Sequence, residues 1–239
     1  MTLIAALVGL LGLAAGFLTT VSGMGGGLML VIALSAMWGP HVALPTTALA
    51  LLVGNLHRLT LFRDHLRPEI ARPLLLGLIP GSIVGSLLVA GMPAGIIHAV
   101  MLGLAAFALV RALVGCHWRI PRAVLAPAGG AVGIMAGTSG GAAVLTAPLL
   151  LASGLRGDEY LATVALAAVA MHVSRTIGYG AGGLVGADTF AWAGFLALTL
   201  IAGNLIGKRV RAHLPEALRT GLEYGVLATC TVLSVFGIG

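Results

Sequence analysis

The sequence predicts an all-α integral membrane protein built from two inverted repeats. Each repeat is a glycine-tipped broken helix or re-entrant hairpin plus three transmembrane helices. Three observations carry that expectation. The chain of 239 residues is 59% hydrophobic and 8% charged, with a mean hydropathy of +1.09, whereas a soluble domain is about 25% charged. Glycine-rich breaks recur twice, as SGMGGG at 22–27 and TSGGAA at 138–143. The basic residues gather on one face only if both breaks are hairpins.

A span of about 20 apolar residues crosses a bilayer. Such stretches lie at 3–22, 42–62, 71–90, 94–114, 158–178, 188–208 and 217–237. Shorter apolar pieces at 28–38, 124–137 and 143–153 flank the glycine breaks. Glycine is a poor helix former, unfavourable by about 1 kcal/mol against alanine, so each break interrupts its segment. The N-terminal MTLIAALVGL carries no Lys or Arg and therefore lacks the basic region of a cleaved signal peptide. It reads as a structural segment.

The 13 Lys and Arg decide between crossing and turning back. If each broken segment crosses once, Arg63, Arg67, Arg72, Arg111, Arg119 and Arg122 share one face. Arg156, Lys208, Arg209, Arg211 and Arg219 then take the other. If each break is a hairpin, all of these fall on one side, and the opposite loops and both termini have none. The positive-inside rule favours the second arrangement and puts both termini outside the cytoplasm. The first arm, 3–22, is long enough to span, so that hairpin has unequal arms.

Three crossings plus a hairpin form an odd unit, so a second copy is inverted, a plan common in secondary transporters. The expected units are 1–114 and 124–239, with a cytoplasmic linker at 115–123. An offset of 117 places Gly16 on Gly133, Ser22 on Ser139, Gly23 on Gly140, Thr46 on Thr163, Asn55 on His172, Arg58 on Arg175 and Phe62 on Tyr179. An offset of 122 places Gly81 on Gly203 and Gly85 on Gly207; the five extra residues fall in GAGGLVGAD.

Two basic residues remain, Arg58 and Arg175, and they are repeat mates inside membrane segments. A charge there is costly and functional by default. Asn55 and His172 sit three residues earlier on the same helical faces. The competing reading is snorkelling, because both arginines lie toward the ends of their segments. The short arm 28–38 is about 16 Å long, which brings the first tip toward the depth of Arg58; the second tip approaches Arg175. A helix that starts just past the glycines presents free N–H groups and a positive dipole end. Gly23, Gly25, Gly26 and Gly27, with Ser22, would make one anion cradle. Gly140 and Gly141, with Thr138 and Ser139, would make the other. The alternative is that the glycines only permit a tight turn and close packing.

The stretches GFLTTVSGMGGGLML at 16–30 and GIMAGTSGGAAVLTAPLLLASG at 133–154 resemble the sulfite exporter TauE/SafE family of bacterial membrane transporters, within the toluene-sulfonate uptake permease superfamily. LPTTALALLVGN at 44–55 and IPGSIVGS at 79–86 add to the likeness. The family's proline after the glycine motif occurs only in the second copy, as Pro148. The resemblance implies an inner-membrane transporter of small sulfur-containing anions such as sulfite, sulfoacetate or related organosulfonates.

The functional expectation is a secondary transporter, exporting, in which Arg58 and Arg175 bind the anion and the half-helix N–H groups complete the site. Proton coupling candidates are His172, His57 and Glu223; an interfacial position is the competing reading for Glu223. The alternatives are an anion-selective channel or an importer of another small organic anion. No GxxxxGK[ST], HExxH or GxSxG motif is present, so the sequence points neither to ATP hydrolysis within this chain nor to an enzyme. No cofactor or metal is expected. Cys116 and Cys230 have no CxxC or metal spacing, and a disulfide is not expected. The basic residues are dispersed over short loops, which argues against nucleic acid as a partner. The expected partners are the small anion and the lipid bilayer, and a homo-oligomer is compatible with the sequence.

Overall fold

The computed structural model describes residues 2–23, 25–114, 120–215, 218 and 221. Cys116, His117, Arg119, Arg219, Glu223, Cys230 and nearly all of the expected span 217–237 lie outside the described residues. Among those described there are helices and no strands. In order they are α1 (Thr2–Ser22), α2 (Gly26–Trp38), α3 (Pro40–Phe62), α4 (Pro68–Val89), α5 (Ala94–Val114), α6 (Leu125–Ser139), α7 (Ala142–Ala152), α8 (Gly157–Ala181) and α9 (Ala187–Arg211). Five stretches are long and apolar enough to cross a membrane: Leu3–Ser22, Pro40–His65, Pro68–Val89, Gly157–Ala181 and Ala187–Arg211.

Local chemistry sets the boundaries. Pro40 and Pro68 open α3 and α4 at positions where a missing N–H costs nothing. This moves both starts upstream of the hydropathy estimate. Asp158 and Glu159 occupy the first turn of α8, where negative charge suits the helix dipole. At the breaks, Gly23 and Gly25 have φ of 90° and 89°, and Gly140 has φ of 77°. Side chains rarely adopt that backbone, so glycine is required there.

Packing is close enough for backbones to touch. A Cβ at Gly16 would collide with the Leu200 carbonyl, and one at Gly203 with the Leu13 carbonyl. These contacts join α1 to α9, in parallel, since Gly9 faces Phe195 while Gly207 faces Phe17 and Thr20. The same happens between α4 and α6. Gly133 meets the Leu78 carbonyl, Gly81 the Gly130 carbonyl and Gly85 the Ile134 carbonyl. Small residues permit this approach where lipid gives no hydrophobic drive. The offsets of 117 and 122 convert one set of contacts into the other. Between these pairs, α3 and α8 pack against each other in opposite directions. Phe62 shares an apolar cluster with Tyr160, and Leu44 shares another with Tyr179.

Each short helix returns toward its partner's start. α2 begins against α1, with Gly26 on the Ala15 carbonyl. It ends at Trp38, whose ring lies 5.0 Å from Trp192 near the start of α9. In the second half, the Ile120 N–H donates to the Ala152 carbonyl at 3.2 Å, so the end of α7 sits beside the approach to α6. Charges collect at one end of the bundle. Arg67 pairs there with Glu159, and Arg211 with Asp158 at 3.4 Å. Lys208 donates to the Leu61 carbonyl at 3.3 Å.

Candidate functional site

Arg58 and Arg175 are among the most deeply buried side chains, 1% and 0% exposed. Both are enclosed by protein, so snorkelling does not describe them. Arg58 bonds directly to the carbonyl end of the helix that leads into the first glycine break, and Arg175 reaches the end of the helix before the second break through Tyr179.

On α3, the Arg58 Nη1 donates to the Thr19 carbonyl in the last turn of α1 at 2.7 Å. Its Nε is buried with no hydrogen-bond partner. On α8, Arg175 is held differently. Its Nε donates to the Tyr179 hydroxyl at 3.2 Å, and its Nη1 lies 3.2 Å from the His172 Nδ1. The guanidinium carbon stands 5.4 Å from the Tyr179 ring centre. The Tyr179 hydroxyl in turn donates to the Gly137 carbonyl in the last turn of α6 at 2.6 Å. The Arg175 Nη2 is buried without a partner. An arginine only donates, so His172 accepts through Nδ1 and carries its proton on Nε2. Positive charge at a helix carbonyl end is favourable, and the last carbonyls of a helix need such partners.

The helix starts past both breaks lack side-chain caps: Gly25 precedes α2 and Gly141 precedes α7. The hydroxyls beside the two breaks donate to their own preceding turns, and the Ser139 Oγ also accepts from the Gly141 N–H at 3.4 Å. Ser22 donates to the Leu18 carbonyl at 2.7 Å, Thr138 to the Met135 carbonyl at 2.9 Å, and Ser139 to the Met135 carbonyl at 2.7 Å. Serine and threonine often bond back to the preceding turn in this way. Asn55 does the same, donating to the Leu51 carbonyl at 2.7 Å. The second tip packs onto the first half: Gly140 faces Val31 and Leu44, and Gly141 faces Leu28. Gly23 at the first tip faces Tyr160 and Leu161 of α8, and Gly27 faces Leu51.

The model of the family described as Sulfite exporter TauE/SafE matches residues 8–236. The chain belongs to the sulfite exporter TauE/SafE family. No curated protein and no solved structure matches it. Membership points to a multi-pass membrane transporter of sulfur anions and is consistent with a protein that is not an enzyme.

In this TauE/SafE protein the proton-coupling candidates separate. His172 is 3% exposed and joins Arg175. His57 lies outside that group, its Nδ1 3.4 Å from the Asn204 Nδ2. Glu223 lies outside the described residues. No group of three His, Cys, Asp or Glu suited to a metal occurs among the described residues.

Two polar features escaped the sequence reading. Asn204 accepts from the Thr20 hydroxyl at 2.9 Å and donates to the Gly54 carbonyl at 2.8 Å, tying α9 to α1 and α3. Its signal was an amide inside an apolar span. Tyr179 was visible only as the repeat mate of Phe62, and its hydroxyl is the difference that matters.

Proposed function

We propose that the chain is a secondary transporter that exports small sulfur-containing anions, sulfite, sulfoacetate or related organosulfonates, by alternating access between two inverted repeats. The repeats are 1–114 and 124–239, joined by 115–123. The observation that carries the proposal is the pair of fully enclosed arginines at equivalent repeat positions, each beside a glycine break and each with an unpartnered nitrogen. A guanidinium suits an oxyanion, and buried N–H groups without partners are costly until an acceptor arrives. The uncapped starts of α2 and α7 supply further N–H groups.

The repeat reading is supported by the two sets of glycine contacts related by constant offsets, and by the opposed directions of α3 and α8. The re-entrant reading is supported by the return of α2 to Trp192 and of α7 to Ile120. Placement in the inner membrane with both termini non-cytoplasmic rests on the gathering of Arg67, Lys208 and Arg211 at one end. Trp38 and Trp192 then sit at the opposite interface, where such rings are common. His172 is the first candidate for proton coupling. Its bond to Arg175 and a proton on Nδ1 exclude one another.

Anion uptake and counterflow in proteoliposomes test the proposal, with sulfite, thiosulfate, sulfoacetate, taurine, sulfate and a carboxylate control. We expect one sulfur anion to be taken up with trans-stimulation, and Arg58→Gln and Arg175→Gln to abolish uptake in folded protein. Transport that survives both changes would remove the arginines from the mechanism. Uptake without counterflow would make the protein a channel.

A further inference from the structure

The two arginines are not equivalent, and the cause is one hydroxyl. In the repeat register Phe62 corresponds to Tyr179. On the Phe62 side, Arg58 itself donates to the Thr19 carbonyl at 2.7 Å. On the Tyr179 side, the tyrosine takes the Gly137 carbonyl at 2.6 Å, and Arg175 rests on the tyrosine oxygen at 3.2 Å. The two carbonyls are one residue apart in register. The tyrosine therefore relieves Arg175 of the structural task that occupies the Arg58 Nη1. What remains differs accordingly. The fully buried nitrogen without a partner is Nε on Arg58 and Nη2, at the outer end of the fork, on Arg175.

We propose that Tyr179 is a positioning residue that makes Arg175 the principal anion-binding arginine, while Arg58 chiefly secures the end of α1. This deepens the transport reading and rests on it. Tyr179 holds the Arg175 Nε, the His172 Nδ1 holds Nη1, and the ring face lies 5.4 Å from the guanidinium carbon. Three constraints fix the plane of the fork, so that Nη2 is presented to a ligand with little further ordering. Without the hydroxyl, the Gly137 carbonyl loses its donor. Arg175 is then the nearest cation able to replace it, and doing so would give the second site the arrangement seen at Arg58. The same hydroxyl links Arg175 to the last turn of α6, so a change at the arginine is felt by the second glycine break.

The test is sulfite binding and uptake by the full-length protein. Binding is followed by thermal stabilisation in detergent, and uptake kinetics are measured in proteoliposomes. Tyr179→Phe should raise the sulfite concentration for half-maximal uptake and binding by about tenfold or more, the scale of one charge-assisted hydrogen bond. The maximal rate should change less. Arg175→Lys should weaken binding more than Arg58→Lys does. The double exchange Phe62→Tyr with Tyr179→Phe should bind sulfite more tightly than Tyr179→Phe alone, because Arg58 then gains the relay. Arg63→Gln, exposed at the charged end, serves as the neutral control.

If wild type transports sulfite and Tyr179→Phe binds it equally well, the positioning role is wrong while the transport reading stands. An Arg58→Lys effect larger than that of Arg175→Lys overturns the assignment in the same way. If wild type neither binds nor moves sulfite or the other sulfur anions, the transport reading falls and this inference with it. A Tyr179→Phe protein that loses stability and maximal rate without a change in half-saturation would show a purely structural tyrosine and also overturn the proposal.

Discussion

The junction of α1 with α9 and α3 can be set beside its counterpart, α6 with α4 and α8. Both use glycine to bring backbones into contact. The first adds a hydrogen-bonded bolt, in which Asn204 joins Thr20 of α1 to the Gly54 carbonyl of α3. At the second, the residue in the Asn204 position is Ser82, offset by 122, and the partner in the Thr20 position is Gly137. The Ser82 hydroxyl is fully buried and has no hydrogen-bond partner. One arm is thus fastened by glycine packing and side-chain hydrogen bonds. Among the described residues, the other relies on glycine packing and on one tether, from Tyr179. The difference teaches that two junctions related by constant sequence offsets can be fastened differently.

The largest effects should come from the feature the junctions share. Gly16→Leu and Gly133→Leu each drive a side chain into a backbone carbonyl, of Leu200 and Leu78 respectively. We expect loss of about 3 kcal/mol or more, seen as failure to obtain monodisperse protein. A well-folded Gly133→Leu would show that the second junction is looser than its geometry. Next comes the bolt. Asn204→Leu leaves the Thr20 hydroxyl without its acceptor and should cost about 2–3 kcal/mol in thermal unfolding.

At the second junction, Ser82→Ala removes a hydroxyl that has no partner. The change should be neutral or slightly stabilising, within about 1 kcal/mol. An equal loss at Asn204 and Ser82 would erase the comparison. The smallest effect is expected at the charged end, where Arg67 and Glu159 are well exposed. Glu159→Gln should leave thermal unfolding almost unchanged, and any loss should shrink as salt is raised. A larger loss would mean that the ion pair fastens α4 to α8 more firmly than its exposure implies.

Much of the fold was legible because the bilayer restricts the choices. A charged residue within an apolar span is rare enough that Arg58 and Arg175 stood out as a pair. Likewise, a left-handed backbone at Gly23 and Gly140 leaves its mark as glycine. The ends of α3 and α4 moved because proline chemistry at Pro40 and Pro68 outweighs average hydropathy. The site was less legible. Hydroxyls at Ser22, Thr138 and Ser139 read as ligand donors, yet each donates to its own preceding turn. That preference is local, but whether a ligand competes with it depends on surroundings the sequence does not order.

The sequence by itself determined the membrane class, the helix complement over the described residues, the glycine breaks and the presence of two arginines inside apolar spans. These follow from composition, hydropathy and internal repetition, which act along the chain. Only the tertiary structure decided that the arginines are enclosed and that each meets the carbonyl end of a helix. It alone decided that Arg175 does so through Tyr179 while Arg58 does so directly. The partners involved are far apart in sequence: Arg58 and Thr19 by 39 residues, Tyr179 and Gly137 by 42, Asn204 and Thr20 by 184. Hydrogen bonds are short-ranged and directional, so which donor reaches which acceptor is fixed only when the helices have packed.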